Sequence, residues 1–156
     1  MEINHIIFLE KKKKAEDLYL KNREIYNPYF GQKVIFNSDG FHHLQFSSRK
    51  ERNKSEQVLK FSLLPQALEI IRKSGTIQEY RSKILTPYGK KSKKGEVVMK
   101  EIEYWGMIAI VGKCKVRTVL RRVGNGAITF WSVMPYSKIK NGKQSKTYDV
   151  NIEDEI

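Results

Sequence analysis

The sequence predicts an α+β fold, with N-terminal helices packed on one face of a twisted antiparallel β-sheet in a single domain. Three observations lead there. Residues 11–25 and 63–73 carry apolar side chains at the three-and-four spacing of one helix face. Residues 96–136 read as β throughout, and Asn125-Gly126 inside them is the strongest short hairpin signal a sequence can carry. The length of 156 residues suits one domain, large enough for a core without disulfides or metals.

In chain order, Ala15, Leu18, Tyr19, Asn22, Ile25 and Tyr26 mark the inner face of the first helix, and Asn27-Pro28 ends it. The stretch 3–9 fits either the start of that helix or a separate strand. Residues 33–36 read as a strand, Asn37-Ser38-Asp39-Gly40 as a turn, and residues 41–49 as a second strand. Residues 50–60 form a polar helix. Ser62 caps the next helix, with Pro65 in its first turn and Gly75 as its stop. Residues 76–85 fit a short helix or a strand, and Thr86-Pro87-Tyr88-Gly89 is a turn. Val97 to Val111 is apolar on both parities, and Gly112-Lys113 turns the chain into the hairpin around Asn125-Gly126. Residues 1–140 make the domain, and 141–156 read as a frayed polar tail with an acidic end.

Thirty Lys and Arg against seventeen Asp and Glu give a formal charge of +13. Three of the acids, Glu153, Asp154 and Glu155, sit together near the end, so the excess elsewhere is larger still. Such a balance points to a polyanion partner, nucleic acid first. Lys90, Lys91, Lys93 and Lys94 form a basic loop suited to clamping backbone phosphates, which needs charge and reach more than fixed geometry. No stretch approaches the roughly 20 apolar residues of a membrane span, and the lysines follow the short apolar patch 6–9 instead of preceding it, unlike a secretory signal. The single cysteine, Cys114, excludes an internal disulfide and a Cys-based zinc site, reads as a structural thiol, and fits a reducing, cytoplasmic compartment.

Chemistry concentrates in Phe41-His42-His43-Leu44-Gln45-Phe46-Ser47-Ser48-Arg49, which holds two of the three histidines. Read as a strand, it points His42, Leu44 and Phe46 to the core and Phe41, His43, Gln45, Ser47 and Arg49 outward. In the late hairpin a two-residue turn opposes Arg117 to Met134, Val119 to Ser132 and Arg121 to Phe130. Val116, Thr118, Leu120, Trp131 and Val133 then face the helices, and Lys115, Arg117, Arg121 and Ser132 form an open cationic face. A three-residue turn with a bulge changes the diagonal pairings. If the strands share a sheet, imidazole and guanidinium meet. Cleaving RNA without a metal needs a proton donor or acceptor for the 2′-hydroxyl and leaving oxygen, with cations to hold the phosphate.

An N-terminal helix, a strand with Phe41-His42-His43-Leu44 and a downstream arginine, apolar helices, and a final sheet with Arg117 and Phe130-Trp131-Ser132 resemble the barnase-EndoU-colicin-RelE class of ribonucleases. The likeness is to its phage- and mobile-element-borne toxin members and spans about residues 15–136. It implies metal-independent endoribonuclease activity with no cofactor and His43 as acid or base. It also implies Arg117 and Arg49 on the phosphate and Ser132 as an orienting hydroxyl, while His42, inward by the alternation, reads as a core residue or a support behind His43. Lys115, Arg121, Tyr136 and the basic loop would hold RNA, either tRNA or mRNA, and an acidic antitoxin or immunity partner, or the chain's own Glu153-Asp154-Glu155 end, would hold the enzyme in check. The chain departs from the class in lacking a second histidine or clear glutamate at the end of the polar row, leaving Lys115 or Tyr136 as the acid-base partner. A His-Asn-His metal nuclease would need a further ligand, and only His5 remains. The reading from another class is a non-catalytic RNA- or DNA-binding module, with Tyr104, Trp105 or Phe130 stacking on bases.

Overall fold

A computed structural model of the protein describes residues 4–47, 50–85, 100–140, 143–149 and 152. Helix α1 (His5–Lys21) starts at Asn4, whose side-chain oxygen accepts from the Ile6 N–H at 2.8 Å. It buries Phe8, Ala15 and Tyr19. The patch around Ile6 therefore opens this helix. The helix ends earlier than its periodicity predicts, because Ile25 and Tyr26 belong to strand β1 (Glu24–Asn27), which pairs antiparallel with β2 (Gln32–Ile35). Asn27 closes this hairpin onto the helices. Its Nδ2 donates to the Ile71 and Ser74 carbonyls at 2.7 and 3.2 Å, and its Oδ1 accepts from the Phe30 N–H.

The expected strand through the two histidines is instead a helix, α2 (Ser38–Gln45). Asn37, counted as a turn residue in the sequence, is its cap: Oδ1 accepts from the Gly40 N–H at 3.1 Å. The two helices expected over residues 50–73 are one, α3 (Lys54–Lys73), started by Asn53, whose Oδ1 accepts from the Glu56 N–H. Ser62 is not a cap; its hydroxyl bonds back to the Val58 carbonyl one turn earlier. Pro65 lies inside this helix, tolerated because packing of Phe61, Leu64, Leu68 and Ile71 holds it there.

The remaining strands are β3 (Glu79–Leu85), β4 (Lys100–Val111), β5 (Cys114–Val123) and β6 (Thr129–Pro135). The six-stranded sheet runs β1-β2-β6-β5-β4-β3. Every pairing is antiparallel except β2 with β6, a parallel junction at Ile35 and Thr129. The α+β class stands, with the helices on one face. There α3 lies over β1, β4, β5 and β6, and α2 over β6. That face buries Trp105, Met107, Val116, Leu120, Phe130 and Val133. Each large apolar side chain so removed from water contributes roughly 2 kcal/mol.

The opposite face carries a second, smaller core of Ile102, Tyr104, Val119 and Met134, and Ile152 sits in it with no exposed surface. Of the stretch 141–156, the structure describes residues 143–149 and 152, and these are not frayed. Its described backbone forms β8 (Lys143–Asp149) against β7 (Ser137–Lys140), and Ile152 is anchored on the sheet. Among the described residues no helix is long and apolar enough to cross a membrane.

Candidate functional site

One indole organises the residues of interest. Trp131 sits at an irregularity in the β5–β6 pairing: Ser132 opposes Val119, but Phe130 then opposes Leu120 and Thr129 opposes Arg121. The expected pairs Arg117–Met134 and Val119–Ser132 are present, and Arg121–Phe130 is displaced by one residue. The bulge also takes Trp131 off the helix-facing surface assigned to it and packs it against the second core, while Phe130 goes to the main core.

Against that indole lie a histidine and an arginine. The His43 imidazole stacks on it with centroids 4.1 Å apart and planes 18° apart, and the Arg121 guanidinium carbon also lies 4.1 Å from its ring. The two cannot be further apart than twice that distance. His43 comes from α2, not from a strand, and the helix inverts the two histidines. His43 is buried, 6 % exposed, while His42 is exposed and stacks on Phe46 at 4.5 Å, so it is not the core residue the alternation predicted.

Two cations missed in the sequence reading complete the cluster. Arg52 is buried; its Nε donates to the His43 carbonyl at 3.0 Å and its Nη2 lies 3.2 Å from the His43 Nε2. A guanidinium has only donors, so that contact engages the Nε2 lone pair. Glu56 stands 3.5 Å from the same arginine. Lys60, from the middle of α3, is buried with its Nζ donating to the Ser132 hydroxyl at 3.2 Å and the Val133 carbonyl at 3.1 Å. Neither had a signal in the sequence, since a lysine among apolar helix residues and an arginine in a polar run both look solvated.

The expected open cationic face is therefore closed at Arg117 and Ser132, while Lys115 stays exposed and Arg121 half-buried. Ser132 is wholly buried, and Arg117 is 3 % exposed, held by Glu79 through Nε–Oε1 at 2.6 Å and Nη2–Oε2 at 3.1 Å. Tyr136 is half-buried, with the Lys115 ammonium 4.2 Å and the Arg117 guanidinium 5.2 Å from its ring. Arg122 is paired with Glu103 at 2.6 Å. Burial alone would raise the Glu103 carboxyl, but the hydrogen bonds from Arg122 and Tyr80 and the arginine's charge together hold it below the usual range. Arg49, Lys90, Lys91, Lys93 and Lys94 lie outside the described residues, as do Glu153, Asp154 and Glu155. Among the described residues no group of three or more His, Cys, Asp or Glu is gathered as metal ligands.

No family model, curated protein or solved structure matches this chain. The site's own chemistry carries the functional reading. It comprises the His43 imidazole and the Arg121 guanidinium on one indole, Arg52 on the imidazole, and the Lys60 ammonium on the neighbouring Ser132 hydroxyl, where helices α2 and α3 meet the central strands β5 and β6 of the sheet.

Proposed function

We propose that the protein is a metal-independent, toxin-like endoribonuclease acting in the cytoplasm. The observation that supports this is His43 and Arg121 on one indole, with Arg52 on the imidazole and Lys60 on Ser132 beside it. In the reaction the 2′-oxygen of RNA attacks the neighbouring phosphorus and the bond to the 5′-oxygen breaks. The products are a 2′,3′-cyclic phosphate and a 5′-hydroxyl. The proton leaving the 2′-hydroxyl goes to a base, and the departing oxygen takes one from an acid. His43 serves as one of these. To accept at Nε2 the ring must exchange Arg52 for the substrate hydroxyl, after which the displaced guanidinium faces the phosphate as its charge grows. Ser132, wholly buried and hydrogen-bonded by Lys60, supports the site from beneath and does not touch the substrate.

The binding-module reading loses ground on one point: Tyr104, Trp105 and Phe130, its stacking residues, are all buried. Fluorogenic RNA incubated with the protein in EDTA tests the proposal. Cleavage to cyclic-phosphate ends, reduced at least about 100-fold by His43→Ala, is expected. Oligonucleotide binding without cleavage between about pH 5 and pH 8, where imidazole titrates, would sink it.

A further inference from the structure

Strand β5 carries three arginines, and their surroundings differ sharply. Arg117 is clamped by Glu79 and Arg122 by Glu103, each carboxylate accepting at 2.6 Å. Arg121 has no carboxylate and no hydrogen-bond acceptor for its side chain among the described residues. Its Nε is buried and unbonded, while the guanidinium is half-buried, 4.1 Å from the Trp131 ring and 5.9 Å from that of Tyr104. Leaving a buried donor of a charged group without an acceptor carries a penalty that folded proteins rarely leave uncompensated. The two rings recover part of it through their negative faces, and they also fix the plane of the fork. The backbone beneath is fixed as well, since the Arg121 carbonyl accepts from the Thr129 hydroxyl at 3.1 Å.

We infer that Arg121, and not Arg117, is the arginine of β5 that binds an anion, taking a phosphate of the RNA backbone on its guanidinium Nη groups, the part of the fork beyond the buried Nε. A phosphate presents two oxygens at the spacing of adjacent guanidinium N–H groups, so one ligand can engage both Nη groups while the indole covers the face of the fork. The ring contacts pre-set the fork, so little side-chain freedom is lost when the anion arrives. Arg117 cannot do the same without giving up Glu79, and it acts as a fixed strut under the sheet. The choice of RNA as the polymer rests on the ribonuclease reading, whereas the anion site stands on the surroundings of the guanidinium.

The test uses the full chain and a 2′-O-methyl RNA oligonucleotide, which has no free 2′-hydroxyl and survives intact. Binding is followed by fluorescence anisotropy over a salt series. Arg121→Gln is expected to weaken binding about tenfold at low salt and to reduce the slope of log affinity against log salt by about 0.7, the loss of one phosphate contact on a single strand. Arg121→Lys should keep most of the slope while losing affinity, because the charge remains and the fork does not. Arg122→Gln, next along the strand, is the control and should change neither. Arg121→Gln binding like wild type, or a loss equalled by Arg122→Gln, would overturn the assignment. A chain that binds through Arg121 yet leaves unmodified RNA intact keeps the anion site and fails the nuclease. A chain that cleaves RNA while Arg121→Gln binds normally does the reverse.

Discussion

Glu79 on β3 reaches across the whole width of β4 to grip Arg117 on β5, and it passes over Gly106 to do so. Gly106 pairs with Glu79 on one side and Val119 on the other, and a Cβ there would stand 2.6 Å from the Glu79 Oε1 and 3.3 Å from the Ile152 Cδ1. A glycine inside a strand marks a close approach, here of two side chains at once.

Removing one partner of this ion pair strands the other. Glu79→Gln should destabilise the fold by about 3 kcal/mol, read as a shift in the denaturant midpoint, because Arg117 stays buried without its charge partner. Glu79→Gln together with Arg117→Met should recover much of that loss. A double variant whose loss equals the sum of the Glu79→Gln and Arg117→Met losses would mean the pair is not coupled.

Gly40 is the point where α2 meets the sheet. A Cβ there would land against the Phe130 carbonyl oxygen and 2.7 Å from the Tyr19 hydroxyl, and backbone cannot yield as a flexible side chain can. Gly40→Ala should therefore lift α2 away, costing about 2 kcal/mol and loosening the His43–Trp131 stack. A Trp131 fluorescence change without gross unfolding is the expected signature, and an unchanged spectrum at unchanged stability would contradict it.

Tyr19 links α1 to α2 by donating its hydroxyl to the Asn37 carbonyl, amid Phe36, Phe41 and Phe130. Burial pushes its phenol well above the ordinary value of 10.0. The folded state thus holds this proton more tightly than the unfolded chain does. Its contribution is complete below about pH 10 and declines as pH rises beyond that toward the folded value. Denaturation midpoints at about pH 8 and about pH 11 should fall further apart in wild type than in Tyr19→Phe. A slope identical in both would show that the phenol is not the group responsible.

Ile152 plugs the second core from beyond β8, touching the space that Gly106 leaves. Ile152→Ala should cost about 2 to 4 kcal/mol in thermal or chemical unfolding, the range for a buried large-to-small change. A loss below about 0.5 kcal/mol, typical of surface positions, would mean that this side chain does not belong to the core.

Much of the late sheet was legible because period-two alternation acts locally. Gly112-Lys113 and Asn125-Gly126 marked the turns, and the Arg117–Met134 and Val119–Ser132 pairs followed from simple counting. The bulge at Trp131 escaped, since one extra residue leaves the hydrophobic pattern intact while turning a side chain to another face. The early chain was harder to read. A capping asparagine and a turn asparagine look alike in sequence, so Asn37 suggested a strand break where it starts a helix, and the roles of His42 and His43 were exchanged with it.

The sequence alone determined the α+β class, the basic excess, the alternation that sends Val116, Leu120 and Val133 beneath the helices, and the candidacy of His43, Arg121 and Ser132. The tertiary structure decided which cations are taken up by acids. Glu79 lies 38 residues from Arg117 and Lys60 lies 72 from Ser132, so those partners meet only once the sheet and α3 have packed. Charge is a property of each residue, but whether that charge is already answered is a property of the fold.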